Sequence, residues 1–151
     1  MNNASINLSE HFTLAEMCKT NVKLKNVPNE AQVENLKRLC GWLEMLRRRY
    51  NERYGEGNDP LIINSAYRSP AVNKAVGGVA TSNHLTGCAA DIRVAGIEQL
   101  IRYATILLDI SDESQEDFDE LLIERNRYGA IWLHFAVRPF SNRRKVAFIR
   151  A

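Results

Sequence analysis

The chain has 151 residues, of which 25% are charged and 45% hydrophobic, and a formal net charge of +2 at pH 7. That length suits one domain, 1–151, able to bury a real core, and the composition is that of a globular protein. So small a positive excess argues against a nucleic-acid partner, and no apolar run is long enough to span a membrane.

Cys18, Cys40 and Cys88 are odd in number and fit no zinc knuckle. They are expected to be reduced thiols in a protein made in the cytoplasm, and the first residues, "MNNASINLSE", lack the basic and apolar regions of a secretory signal. "TLAE" at 13–16 predicts a short helix capped by Thr13, with Phe12 and Met17 placed as a hydrophobic staple. Asn29 is the expected cap of a long helix. There Val33, Leu36, Leu39, Cys40, Leu43, Leu46 and Tyr50 recur at three- and four-residue steps and form one apolar stripe. "GEGNDP" is a loop, and "LIINSAY" reads as a buried strand.

"SPAVNKAVGG" spells a short helix, with Ser69 as cap, Pro70 in the first turn and glycines after the end. "DIRV" predicts a short strand, "IEQLIRYATILLDI" a second striped helix, and "SDESQED" an acidic surface loop. "FDELLIE", "AIWLHFAV" and "KVAFI" predict three strands that are antiparallel neighbours. With helices first and strands later, the expected fold is α+β, a small antiparallel sheet packed with helices. The basic end, "RPFSNRRKVAFIR", is expected to be a solvated strand edge and tail.

Strand parity points to the chemistry. In "AIWLHFAV", Ile131, Leu133, Phe135 and Val137 take the core face, which turns Trp132 and His134 to the other. In "DIRV", Ile92 and Val94 face one way, and Asp91 and Arg93 the other. His84 lies in "TSNHLTGCAADIRV", among small residues that let a ligand approach closely. Two histidines and a carboxylate suit zinc, and three protein ligands leave a fourth position for water. The plainer alternative is that His84 caps a turn, Asp91 makes an ion pair and His134 is a satisfied strand histidine. His11, before the first cap, is expected to be structural or exposed, and Cys88 a small packing residue.

"SNHLTGCAAD" resembles the S-x-H-x-x-G-x-A-x-D signature of the zinc D-Ala-D-Ala carboxypeptidase and peptidoglycan peptidase family, which shares its fold with the Hedgehog signalling domain. "WLH" at 132–134 is similar to the family's W-x-H, and "AYRSPAVNKAVGG" to its Y-R-S segment. "HFTLAE" resembles the opening of the compact, endolysin-like branch. The resemblance implies a zinc peptidase of this fold, with His84, Asp91 and His134 as ligands. It implies Arg68 as a catalytic and substrate-binding arginine, with Ser82 and Trp132 also on the substrate side. The substrate would be a peptidoglycan stem peptide or muropeptide, met at the wall after lysis-coupled release or, as the alternative, as imported wall fragments in the cytoplasm; the protein is expected to be a monomer.

The chain departs from several relatives at Ile131, where they carry an acid three positions before the last ligand. Glu120 and Glu124 are the candidates for a general base, both on the face of Phe118 and Leu122. Glu124 is preferred, because a hairpin would return it toward His134. Loss of the base would leave the other reading, an inactive zinc-stabilised module that binds wall peptides or a protein partner.

Overall fold

The computed structural model describes residues 6–151. Asn29 opens the longest helix, α2 (Glu30–Arg53), through a full capping box: its side chain accepts from Gln32 N, and Gln32 returns a bond to Asn29 N. Before it, Thr13 Oγ1 accepts from Glu16 N and starts the four-residue α1 (Leu14–Met17). The stripe expected on α2 is its buried face, with Leu36, Leu39, Cys40, Leu43 and Leu46 all at 0% exposure. Each such leucine contributes about 1.5–3 kcal/mol of burial.

The rest of the chain builds one five-stranded sheet. In chain order the elements are β1 (Ile63–Ser65), α3 (Pro70–Ala75), a 3-10 turn (Asn83–Thr86), β2 (Ala89–Arg93), α4 (Ile97–Ser114), β3 (Glu120–Arg125), β4 (Ile131–Ala136) and β5 (Lys145–Arg150). Across the sheet the strands run β1-β2-β4-β3-β5. α2 and α4 cover one face. Trp42 of α2 meets Phe135 of β4 at 5.4 Å between ring centroids, and Tyr50 of α2 meets Tyr103 of α4 edge-on at 4.9 Å.

Three expectations are corrected. The strand read in "LIINSAY" shortens to Ile63–Ser65, because the residues after it bond to neighbouring segments: Tyr67 N donates to the Met17 carbonyl, and Arg68 N to that of His84. α4 runs on to Ser114, through the first half of the predicted acidic loop. The sheet is mixed: β5 pairs parallel to β3, while the other pairings are antiparallel. The reason is geometric. β4 ends beside the start of β3, with Ala136 opposite Glu120. The short link that follows therefore delivers β5 to that same end, with Lys145 opposite Glu120. Among the described residues, no helix is long and apolar enough to cross a membrane.

The uncovered face carries the polar residues, and the segment between α3 and β2 packs over it. One glycine is essential where this segment meets α2. Gly87 ends the 3-10 turn at φ +77°, and a Cβ there would lie 2.6 Å from the carbonyl oxygen of Gln32. Gly129 also has a positive φ, +87°, but nothing lies within 4 Å of a Cβ. Gly87→Ala is therefore expected to cost well over 1 kcal/mol and Gly129→Ala about 1 kcal/mol. Denaturant unfolding of the two variants measures the difference.

Candidate metal centre

His84, Asp91 and His134 meet on the uncovered face, all three buried, with one ligand atom from each lying within 4.8 Å of the others. Sheet register brings two of them together. Asp91 on β2 is directly opposite His134 on β4, and Nδ1 of His134 is 3.1 Å from Asp91 Oδ1. His84 arrives from the 3-10 turn, which Ser82 caps by accepting a bond from His84 N at 3.1 Å. Backbone bonds lock it in place: Arg68 N donates to the His84 carbonyl at 3.0 Å, and His84 Nδ1 lies 2.6 Å from the Ala66 carbonyl oxygen.

Those bonds decide which nitrogens point inward. A carbonyl only accepts, so Nδ1 of His84 carries the proton and Nε2 is free to face Asp91 Oδ1 at 3.3 Å. On His134, Nε2 lies 3.0 Å from Glu120 Oε1, which leaves Nδ1 for the centre. An outer partner on each ring, orienting the ligand nitrogen, is the usual arrangement of metal-binding histidines. Two imidazole nitrogens and a carboxylate oxygen form a donor set that fits zinc.

The electrostatics also fit a cation. Burial opposes the charge on Asp91, but the imidazoles of His84 and His134 hold its carboxyl far below the ordinary range. Burial likewise opposes a charge on His134, yet bonds to Asp91 and Glu120 reverse this and push it up to about 10.

Two glutamates flank His134 in different ways. Leu122 is its partner on β3, so Glu120 and Glu124, two residues to either side, are its diagonal neighbours on the same face. Glu120 bonds to Nε2, the side away from the centre. Glu124 Oε1 lies 3.7 Å from Nδ1, the side toward the centre, and its other oxygen accepts from Trp132 Nε1 at 2.8 Å. Burial and the charge of Asp91 raise the Glu124 pKa. Burial acts the same way on Glu120, but bonds from His134 and Asn83 outweigh it and lower that pKa.

Arg68 stands on the opposite side. Its Nε donates to Ser65 Oγ at 3.2 Å, Nη1 to Asn73 Oδ1 at 3.4 Å and Nη2 to Asp91 Oδ2 at 3.2 Å. His11 lies apart, with Nδ1 2.7 Å from Glu44 Oε1, and Cys88 is buried.

The polar supports of the site carry no motif in the sequence. Asn26 bonds to the carbonyls of Cys18 and Tyr67 and accepts from Ser69 N, stitching the segment before α2 to the one that carries Arg68. Asn83 donates to both Asp119 Oδ2 and Glu120 Oε1. Asp119, fully buried, receives Arg143 and Arg138 as well. The only signal of Asp119 in the sequence was an acid placed between Phe118 and a strand.

A buried cluster of two histidines and an aspartate, bonded to an arginine and two glutamates, is a group that could hold a metal ion on an α+β scaffold. The comparisons identify the group: residues 10–112 match the family model described as Peptidase M15, and the chain belongs to that family of zinc D-Ala-D-Ala carboxypeptidases. The match includes His84 and Asp91 and stops before β3, so His134, Glu120 and Glu124 join the centre through the sheet. None of the curated proteins compared with the chain matches it.

Two outcomes follow. His84→Ala, Asp91→Ala and His134→Ala are each expected to remove most bound zinc, measured by elemental analysis of purified protein. Glu120→Gln is expected to keep the metal but weaken its affinity by about 10- to 100-fold; undiminished affinity in a chelator competition would contradict the orienting bond.

Asp119 supplies an acid-stability test. Burial raises its pKa, but bonds from Arg143 and Asn83 and the charge of Arg138 overcome this and bring it down to about 2. A depressed carboxylate stabilises the fold above its unfolded pKa, about 3.9, and that stability is lost as pH falls toward about 2. Asp119→Asn should therefore be less stable at pH 7 and should lose less stability than the unmodified protein between about pH 4 and pH 2, as read by thermal melts.

Proposed function

We propose that this protein hydrolyses amide bonds in bacterial peptidoglycan stem peptides, with His84, Asp91 and His134 holding one zinc ion. The observation that carries the reading is the placement of Glu124. Its carboxylate lies beside the ligand nitrogen of His134, on the side where the ligand atoms converge. Zinc bound there would supply Lewis-acid polarisation of the scissile carbonyl and a water that is easier to deprotonate.

The chain's own residues perform the rest. Glu124 accepts the proton of the attacking water and passes it to the departing amine. Its raised pKa suits a group that must hold and then release a proton, and Trp132 Nε1 keeps its second oxygen occupied, so Oε1 is the working atom. This replaces the acid that several relatives carry where this chain has Ile131. The two lie across the β3–β4 hairpin, where Glu124 pairs with Trp132.

Arg68 orients the substrate oxygen. Three of its N–H groups are fixed by Ser65, Asn73 and Asp91, which leaves two directed donors on a guanidinium that cannot swing away. Ser82 and Trp132 are bonded to the same group of residues, Ser82 to His84 and Trp132 to Glu124. The Ser82 oxygen accepts from His84 N, so its hydroxyl proton is what it offers a substrate.

Assay of the zinc-loaded protein on purified muropeptides tests the reading. Glu124→Gln should lower kcat by about a hundred- to ten-thousand-fold with zinc content and fold unchanged, since that is what general acid–base assistance contributes. Glu120→Gln should act chiefly through metal affinity and much less on kcat at saturating zinc. If the unmodified protein, zinc bound, cleaves no wall peptide, it is a binding module and not a peptidase.

A further inference from the structure

The link between β4 and β5 carries an arginine near each end, Arg138 and Arg143, and both are fixed on one buried acid. Arg143 takes Asp119 with two prongs, Nε at 3.0 Å from Oδ1 and Nη2 at 2.8 Å from Oδ2. Arg138 Nε is 3.2 Å from the same Oδ2 and 3.0 Å from Asn83 Oδ1. Asp119 is fully buried, whereas the two arginine side chains are 34% and 50% exposed. Nη1 and Nη2 of Arg138 and Nη1 of Arg143 have no hydrogen-bond partner among the described residues.

Arg143 stands close to the centre. Arg143 Nη2 is 3.5 Å from Glu120 Oε2, and Glu120 Oε1 is 3.0 Å from His134 Nε2. Asn83 ties the two layers together, donating to Asp119 and to Glu120 at 2.8 and 2.6 Å.

We propose that Arg138 and Arg143 form an anion subsite that binds a carboxylate of the peptide substrate, on the Glu120 side of the centre. The proposal rests on the peptide-substrate reading above. One arginine suffices to satisfy Asp119, and Arg143 already does so with both prongs. Arg138 is surplus to that need, and its outer fork is held ready by Asn83 and Asp119. A planar guanidinium matches a carboxylate with paired bonds, and a fork already held in place loses little side-chain freedom on binding.

The charge count agrees. Around the centre stand the carboxylates of Asp91, Asp119, Glu120 and Glu124 and the guanidiniums of Arg68, Arg138 and Arg143. The acids exceed the arginines by one. A divalent cation reverses that balance, and one substrate carboxylate neutralises it. Only Glu120 separates Arg143 from the His134 ring, a span on the order of 10 Å, which an extended peptide covers in about three residues. The carboxylate is therefore either the substrate's C-terminus or the side chain of an acidic residue within about three positions of the cut bond.

Calorimetric titration of the zinc-loaded protein tests this with three matched acetylated peptides. One has both carboxylates free, one is amidated at its C-terminus and one is amidated at its internal acid. Amidation of one of the two is expected to weaken binding about tenfold or more, and which one identifies the source. In Arg138→Gln that preference should shrink to about twofold, while affinity for the matching amide stays as before. Arg138→Lys, which keeps the charge and loses the fork, is the second variant and should retain part of the preference. Equal binding of all three peptides, no binding of any, or an undiminished preference in the Arg138 variants overturns the subsite. Turnover is measured separately. Carboxylate-selective binding without cleavage removes the peptidase and leaves the subsite; cleavage without selectivity does the reverse.

Discussion

Placing a carboxylate inside a protein is costly unless donors or cations surround it, and Asp91, at 7% exposure, is the buried acid at the centre of this site. Its environment accounts for much of the surrounding geometry. His134 faces it from the adjacent strand, His84 from the 3-10 turn and Arg68 from the segment after β1. Each partner is then tied down in turn: His84 by the Ala66 carbonyl, Arg68 by Ser65 and Asn73, His134 by Glu120. A site held in this way has little freedom to rearrange, which is what a metal centre with directed ligand atoms requires.

Strand geometry divides the work of the two glutamates. Side chains two apart on a strand share a face, so Glu120 and Glu124 bracket the residue opposite His134. An imidazole has a nitrogen on each side, and the two acids meet different ones. The one on the outer side is stabilised as a carboxylate by its hydrogen bonds, whereas burial and the charge of Asp91 push the one on the inner side toward protonation. Chemically identical side chains thereby acquire opposite tendencies from a separation of four residues.

The mixed sheet has a functional consequence. Because β5 starts at the same end as β3, the link before it passes directly over Asp119, and Arg143 N and Lys145 N both bond to that residue. An antiparallel β5 would have entered from the far end and carried Arg143, two residues before it, away from the centre. The parallel edge strand thus keeps a basic segment, which in the sequence resembled a solvated tail, beside His134.

Local chemistry determined much of this protein in the sequence itself. The stripe on α2, the caps at Asn29 and Ser69, and the turning of His134 and Asp91 away from the core all follow from short-range periodicity and hydrogen bonding, and the structure has them. The signature around His84 pointed to the family, which the match over residues 10–112 shows. What the sequence left open was decided by contacts between distant segments. Parity places Glu120 and Glu124 on one face and cannot say which nitrogen of His134 each will meet, because that depends on the register of β3 against β4. The direction of β5, the burial of Asp119 and the gathering of Arg138 and Arg143 around it likewise depend on where one strand ends relative to another. No local pattern encodes that position; it is set when the sheet assembles and the polar groups it buries find their partners.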